Sequence, residues 1–277
     1  MYFKLFKPQN WRKRSGEARR QIVQCCRNKG EIYMKAQEAV RLAWQHHTII
    51  PAFNIPYLPM VEPVVQAIVD ENSVAMVQVA RLEWEKFESQ SPEAVAKEYF
   101  RFCKEGYTLL HLDHIPAIDE DQKNVDFLPL LKRALEAGYQ SVMIDGSRLP
   151  LAQNIAVTRQ AAELAAKYGS AVEAELGAVA GHEGVGIGLS YEELFTSKKG
   201  FTKTEEAAQF ARESGCDWLL PWRNCCCDQT PEKTGSATGY SAYCRAVCGN
   251  RSYAVSAARR FRYQAGIYPA RDGKWHC

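Results

Sequence analysis

A chain of 277 residues, 46% of them hydrophobic, suits one large α/β barrel or two smaller domains and can bury a sizeable core. Its formal charge of +3 is too small to argue for nucleic acid or a membrane surface as partner. No apolar run approaches the roughly 18 residues of a bilayer span, and no apolar stretch with a cleavage site opens the chain, so the expectation is a soluble cytoplasmic protein.

Residues 1–33 are basic and irregular, with Lys4, Lys7, Arg12, Lys13, Arg14, Arg19 and Arg20 opposed by only Glu17 and Glu31. A nucleic-acid-binding arm or a transit peptide would have this balance, but the reading adopted is a disordered, dispensable extension. From Met34 to Trp44 apolar residues recur three or four apart, the period of an amphipathic helix.

Strand-like and helix-like segments then alternate. Ile49 to Ile55 reads as a strand and Val61 to Val69 as a helix; Val74 to Ala80 reads as a strand, followed by a helix from Pro92 to Cys103 with Ser91 as N-cap. The third strand is Tyr107-Thr108-Leu109-Leu110-His111-Leu112-Asp113-His114, after which Phe127 to Ala137 makes a helix stopped by Gly138. Ser141 to Ser147, Leu151 to Tyr168 and Ala171 to Gly177 continue the alternation. Beyond a loop rich in glycine, Thr204 to Ser214 is helical and Trp218-Leu219-Leu220 begins a sixth strand. Repeated βα units imply a parallel sheet.

Neighbouring side chains of a strand point to opposite faces, so Asp113 and His114 face one way together only if the strand ends there and the chain turns. Taken alone, the octapeptide also fits an edge strand with a capped turn. Successive strands ending in Asp113 with His114, in Asp145 and in Glu175 decide between architectures. A doubly wound sheet gathers its site at one switch point, whereas a barrel collects residues from many strand ends. The expected fold is a (β/α)8 TIM barrel, incomplete, with about six βα units recognisable.

These residues resemble the class II, metal-dependent fructose- and tagatose-bisphosphate aldolases over residues 34–220. The resemblance rests on Pro51-Ala52-Phe53-Asn54, on His111-Leu112-Asp113-His114, and on Ser141 to Ser147 followed by Gln153, Asn154, Ile155 and Thr158. It continues in Val172 to Gly177 with Gly181 and Glu183 beyond. Ile115 and Ala180 depart from the family pattern.

The resemblance implies reversible cleavage of a ketose bisphosphate to dihydroxyacetone phosphate and an aldehyde. Zinc acts as a Lewis acid in that chemistry, with a second divalent or monovalent cation as an option. It implies His114 as a zinc ligand, Asp145 and Glu175 as metal-binding acids, Asp113 and Glu183 as the catalytic acid/base groups, and Asn54 as a substrate contact. It also implies a phosphorylated ketose as partner, a homo-oligomer, and neither nucleic acid nor membrane. Glu173 reads as a salt-bridge partner inside the barrel and His111 as structural; His46, His47 and His182 read as ordinary polar residues.

The family pattern then stops. It calls for two further zinc histidines, in GNxHG and HGGSG segments on the sixth and seventh strands, and neither appears after Leu220. Residues 221–277 contain no leucine, a single isoleucine (Ile267), and crowded cysteines at Cys225, Cys226, Cys227, Cys244, Cys248 and Cys277 whose spacing fits no metal site well. A frame change explains this tail. Ala254 to Tyr263 can be encoded GCC GTT AGT GCT GCA CGG CGG TTC CGG TAT, with CAG for Gln264 next. Read one nucleotide later, that string is PLVLHGGSGI, the missing motif. Three readings stay open: an aldolase-family enzyme, weakly active or inactive as written; an inactive barrel remnant; and a remnant whose cysteine-rich tail binds a metal or a partner.

Overall fold

The computed structural model describes residues 35–45, 49–177, 202–221 and 254–255. The expectations placed on residues 1–33, on Glu183 and its glycine-rich loop, and on the cysteine-rich tail other than 254–255 lie outside the described residues.

The chain opens with α1 (Ala36–Gln45) and then builds β1 (Ala52–Asn54), α2 (Val61–Asp70), β2 (Ala75–Ala80), α3 (Arg81–Lys86), α4 (Pro92–Phe102) and β3 (Thr108–Pro116). It continues through α5 (Phe127–Glu136), β4 (Ser141–Asp145), α6 (Leu151–Ala166), β5 (Ala171–Leu176), α7 (Thr204–Ser214), β6 (Trp218–Pro221) and the short β7 (Ala254–Val255). Every strand pairs in parallel with its sequence neighbour, in the order β1-β2-β3-β4-β5-β6-β7. The order never reverses, so there is no switch point of the doubly wound kind. This is the arc of a partial TIM barrel.

Local chemistry explains the boundaries. The Ser91 side chain accepts a hydrogen bond from the Ala94 amide at 3.1 Å, with Pro92 in the first turn of α4. α5 ends where Gly138 takes φ +96°, a conformation a side chain resists, and an added Cβ there would meet the Phe100 ring. α3 was not expected, because six residues span less than two turns and carry no readable period.

The two faces of the arc are chemically distinct. Toward the helices point Val77, Val79, Leu110, Leu112, Val142, Ile144, Val172, Ala174 and Leu219, all in the main buried cluster with residues of α2, α4, α5, α6 and α7. The concave face begins with Val74, Met76, Leu109, Ala171 and Trp218, which are covered by Ala36, Ala39 and Ala43 of α1. Those alanines share one helical face, and their small side chains let the helix lie close against the strands. Above this layer the concave face turns polar.

β3 does not end at His114, as the sequence suggested; it runs on to Pro116. Between the pairs Leu112↔Val142 and Ile115↔Ile144 the register shifts, so Asp113 and His114 together stand against the single residue Met143. His114 has φ +48°, in the left-handed region. A β-bulge, not a turn, therefore lets both residues reach the concave side while Ile115 returns to the buried core.

Beneath the bulge His111 is 1% exposed, with Nδ1 2.8 Å from Ser141 Oγ and Nε2 3.5 Å from a Glu173 carboxylate oxygen. Burial pushes its pKa down from 6.5 to about 4, against the pull of Asp113 and the Ser141 hydrogen bond, so the imidazole is neutral. The unfolded chain binds a proton near pH 6.5 that the folded chain accepts only near pH 4. The stability this contributes is complete above pH 6.5 and is lost as the pH falls toward 4, by up to about 3 kcal/mol. Urea unfolding near pH 7 and near pH 4.5 checks this: His111→Gln should lose distinctly less stability on acidification than the parent chain. Equal losses would assign the acid sensitivity to other groups.

Candidate active site

The C-terminal ends of the strands bring Asn54, Asp113, His114, Asp145 and Glu175 to one side of the sheet. Asn54 stands at the end of β1 in register with Gln78 of β2, and Ala80 is in register with Asp113 of β3. Asp145 ends β4 and pairs in register with Glu175 of β5. Side chains far apart in sequence thus share one rim, as parallel βα architecture favours.

His114, Asp145 and Glu175 each offer one ligand atom, and these atoms lie within 4.8 Å of one another. His114 Nε2 is 3.3 Å from Asp145 Oδ2. Zinc bonds of about 2.0–2.2 Å in a tetrahedron set neighbouring ligand atoms about 3.3–3.6 Å apart, so this separation suits such an ion. An imidazole with two carboxylates is also a donor set that zinc and similar divalent cations accept. Asp145 is 5% and Glu175 3% exposed, and carboxylates so far from water call for a cation or hydrogen-bond donors nearby.

The surrounding groups fix these side chains. The Ser147 amide donates to Asp145 Oδ1 at 2.8 Å. Asn154, fully buried on α6, donates from Nδ2 to the Glu175 carbonyl at 2.9 Å, and Thr158 Oγ1 donates to Asn154 Oδ1 at 3.3 Å. Asn154 and Thr158 belonged to the sequence motif; the structure gives them this supporting place. Gly146 lies so close to Asn154 that any Cβ there would overlap its side-chain amide.

Beside the cluster, Asp113 is held by amides. Gln78 Nε2 donates to Asp113 Oδ2 and to Asn54 Oδ1, both at 2.9 Å, and Asn54 Nδ2 donates to the same Asp113 oxygen at 3.3 Å. Glu83 of α3 closes the group, accepting from the Ala80 amide at 2.8 Å. Burial raises the Glu83 pKa; the Ala80 amide and the Asn54 side chain oppose the rise, and the Asp113 charge adds to it. Sequence reasoning missed Gln78 and Glu83. Gln78 was detectable, being the one polar residue in the run Ala75-Met76-Val77-Gln78-Val79-Ala80 at a position sharing a face with Met76. Glu83 had no such signal.

A family profile described as fructose-bisphosphate aldolase class-II matches residues 34–221. The chain belongs to the class II fructose-bisphosphate aldolase family. This aldolase-family chain is 31% identical over 177 residues to a fructose-bisphosphate aldolase of Treponema pallidum, covering 61% of the chain and 48% of that protein. It is 41% identical over 87 residues to a 6-phospho-5-dehydro-2-deoxy-D-gluconate aldolase of Bacillus velezensis, covering 31% of the chain and 27% of that protein. The structure of fructose-bisphosphate aldolase from Campylobacter jejuni superposes with a TM-score of 0.53 at 19% identity, over 75% of this chain and 62% of that one; at this identity the likeness concerns the fold. The chain therefore spans at most about half the length of these two sequence relatives. Among the described residues no helix is long and apolar enough to cross a membrane.

Replacing Asn154 by leucine keeps the volume but removes the buried hydrogen bond that its amide donates to the Glu175 carbonyl. The expected loss is about 2 kcal/mol of stability, readable as a lowered urea midpoint with an unchanged m-value. An unshifted midpoint would mean that Asn154 does not hold β5.

Proposed function

We propose that this site is that of a zinc-dependent aldolase acting on a phosphorylated ketose, in a chain that lacks part of the machinery and turns over little or no substrate. The observation that carries the reading is the convergence of His114, Asp145 and Glu175 within 4.8 Å beside an amide-clamped Asp113, in a chain of the class II aldolase family. In this reading His114 is a zinc ligand and Asp145 and Glu175 are metal-binding acids. A divalent cation bound there would supply a Lewis acid for the substrate's carbonyl oxygen. The cytoplasmic location and the assembly into a homo-oligomer belong to the same proposal.

The chain's own groups do the remaining work. Asp113 takes a proton from the hydroxyl that becomes the aldehyde oxygen and returns it in the condensation direction. Gln78 and Asn54 orient that carboxylate by donating to one of its oxygens, which leaves the other free to face the substrate. Asn54 is assigned to the substrate side of the same group. Glu183 is assigned the proton carried on carbon.

The missing part is the second half of the proposal: residues 1–33 are a dispensable extension, and residues 221–277 are read out of frame. One finding supports this: the family match covers residues 34–221 and neither flank. The coding sequence decides it, since codons incompatible with that string end the idea. For activity, the chain as written should release no measurable dihydroxyacetone phosphate, whereas the gene restored to frame near residue 220 should do so. Turnover by the present chain at rates ordinary for an aldolase would overturn the proposal.

Metal content tests the ligand assignment separately. Purified, dialysed protein should hold zinc that is lost in His114→Ala. Zinc that survives this change and disappears when Cys225, Cys226 and Cys227 are replaced would favour a metal-binding tail instead.

A further inference from the structure

The groups around Asp113 can be counted donor by donor. Gln78 uses both N–H bonds of its amide, one toward Asp113 Oδ2 and one toward Asn54 Oδ1, each at 2.9 Å. Asn54 directs its own toward Asp113 Oδ2 at 3.3 Å and toward the Glu83 carboxylate. A primary amide carries two N–H bonds, so neither residue has a donor left over. What these four side chains still offer is acceptors: Gln78 Oε1, the second Asp113 oxygen, and the unused lone pairs of Glu83.

The backbone sets Glu83 in this place. Ala80, the last residue of β2, stands in register with Asp113, and its amide donates to Glu83 Oε2 at 2.8 Å, the reach-back half of a capping box. The first turn of α3 thereby brings a second carboxylate alongside the first, and the Asp113 charge is one of the influences that raise the Glu83 carboxyl. Among the described residues no lysine or arginine pairs with Glu83, and the donors that reach Asp113 are amides. Gln78, Glu83 and Asp113 are all half-buried, open to a ligand yet poorly screened by water.

Such a surface sorts ligands by charge and by hydrogen. A hydroxyl or ammonium group donates to it. A phosphate or carboxylate brings only acceptors and negative charge against two acids.

We propose that Glu83 is a specificity-determining residue: with Asp113 and the Gln78 carbonyl it forms an acceptor-only wall that receives the hydroxyl groups of the departing aldehyde and turns away a phosphorylated one. The substrate class is then a ketose monophosphate, phosphorylated on the part that leaves as dihydroxyacetone phosphate and carrying free hydroxyls at the other end. The wall stands on the hydrogen bonds above. Its place beside the aldehyde rests on the aldolase reading, in which Asp113 serves the hydroxyl that becomes the aldehyde oxygen.

The wall itself is read on the full chain by NMR titration with serinol and with glycerate, three-carbon molecules that bring an ammonium and a carboxylate respectively. Serinol should bind about tenfold more tightly than glycerate and shift the side-chain amide signals of Gln78 and Asn54. Glu83→Gln keeps the capping acceptor and should cut that preference to about twofold. No binding of serinol by the parent chain, or an unchanged preference in folded Glu83→Gln, overturns the wall. The substrate assignment is read on the frame-restored chain, as the ratio of kcat/KM for fructose 1-phosphate to that for fructose 1,6-bisphosphate. The ratio should favour the monophosphate, and Glu83→Gln should move it about fivefold toward the bisphosphate through a gain on the bisphosphate, which damage to the fold would not give. A restored chain that prefers the bisphosphate, or whose ratio the variant leaves in place, overturns the specificity role and spares the aldolase reading. One that cleaves neither ketose while serinol still binds removes the aldolase reading, and the substrate class with it, but not the wall.

Discussion

The extra residue in β3 is the constraint on which the site depends. A regular strand carrying Leu-Asp-His-Ile would send Asp113 inward and His114 into the apolar layer beneath the helices. The bulge spends an added residue against Met143 to keep both on the concave side, and Ile115 returns to the core with 0% exposure. The left-handed φ of His114 costs on the order of 1–3 kcal/mol in a residue with a Cβ. The next residues hold it in place: Ile115 and Pro116 re-enter the ladder with β4, and the Ala117 amide bonds the Asp145 carbonyl at 2.8 Å. The strain and the geometry of the imidazole–carboxylate cluster are therefore one feature: the same kink that misplaces the backbone delivers the imidazole to Asp145.

Around that kink the polar side chains are sorted by depth. His111, Ser141 and Glu173 form a buried tier closed to water, in which a neutral imidazole costs less than a charged one. One strand-repeat higher, Asp113, Asp145 and Glu175 occupy the rim. Their positions follow from period-2 alternation: His111 and Asp113, and likewise Glu173 and Glu175, are two apart on their strands. Apolar residues fill the alternate places. A single sequence rule therefore sets both the helix-facing core and the column of groups that lead up to the mouth.

That rule is also why so much of the fold is legible in the sequence. The strands from Val74 to Leu220 and the helix Thr204–Ser214 show in apolar spacing, and Ser91 and Gly138 mark helix ends by their own chemistry. The rim acids stand out as polar residues closing apolar strands. What escaped has physical causes. A bulge is a relation between two strands, and neither Asp113 nor His114 announces it as a glycine would. α3 is too short to show a period, so Glu83 had no address. Gln78 looks like an ordinary polar break until its amide is seen to bridge Asn54 and Asp113.

The alanine face of α1 has a structural consequence of its own. Among the described residues β1 and β7 do not pair, so the sheet is an arch with free ends rather than a ring. An arch of this kind would leave its hollow side wet, with Met76, Leu109 and Trp218 open to solvent. Ala36, Ala39 and Ala43 fill that hollow at its base and act as a keystone, giving β2, β3, β5 and β6 a common surface to lean on. Curvature here does not wait for closure.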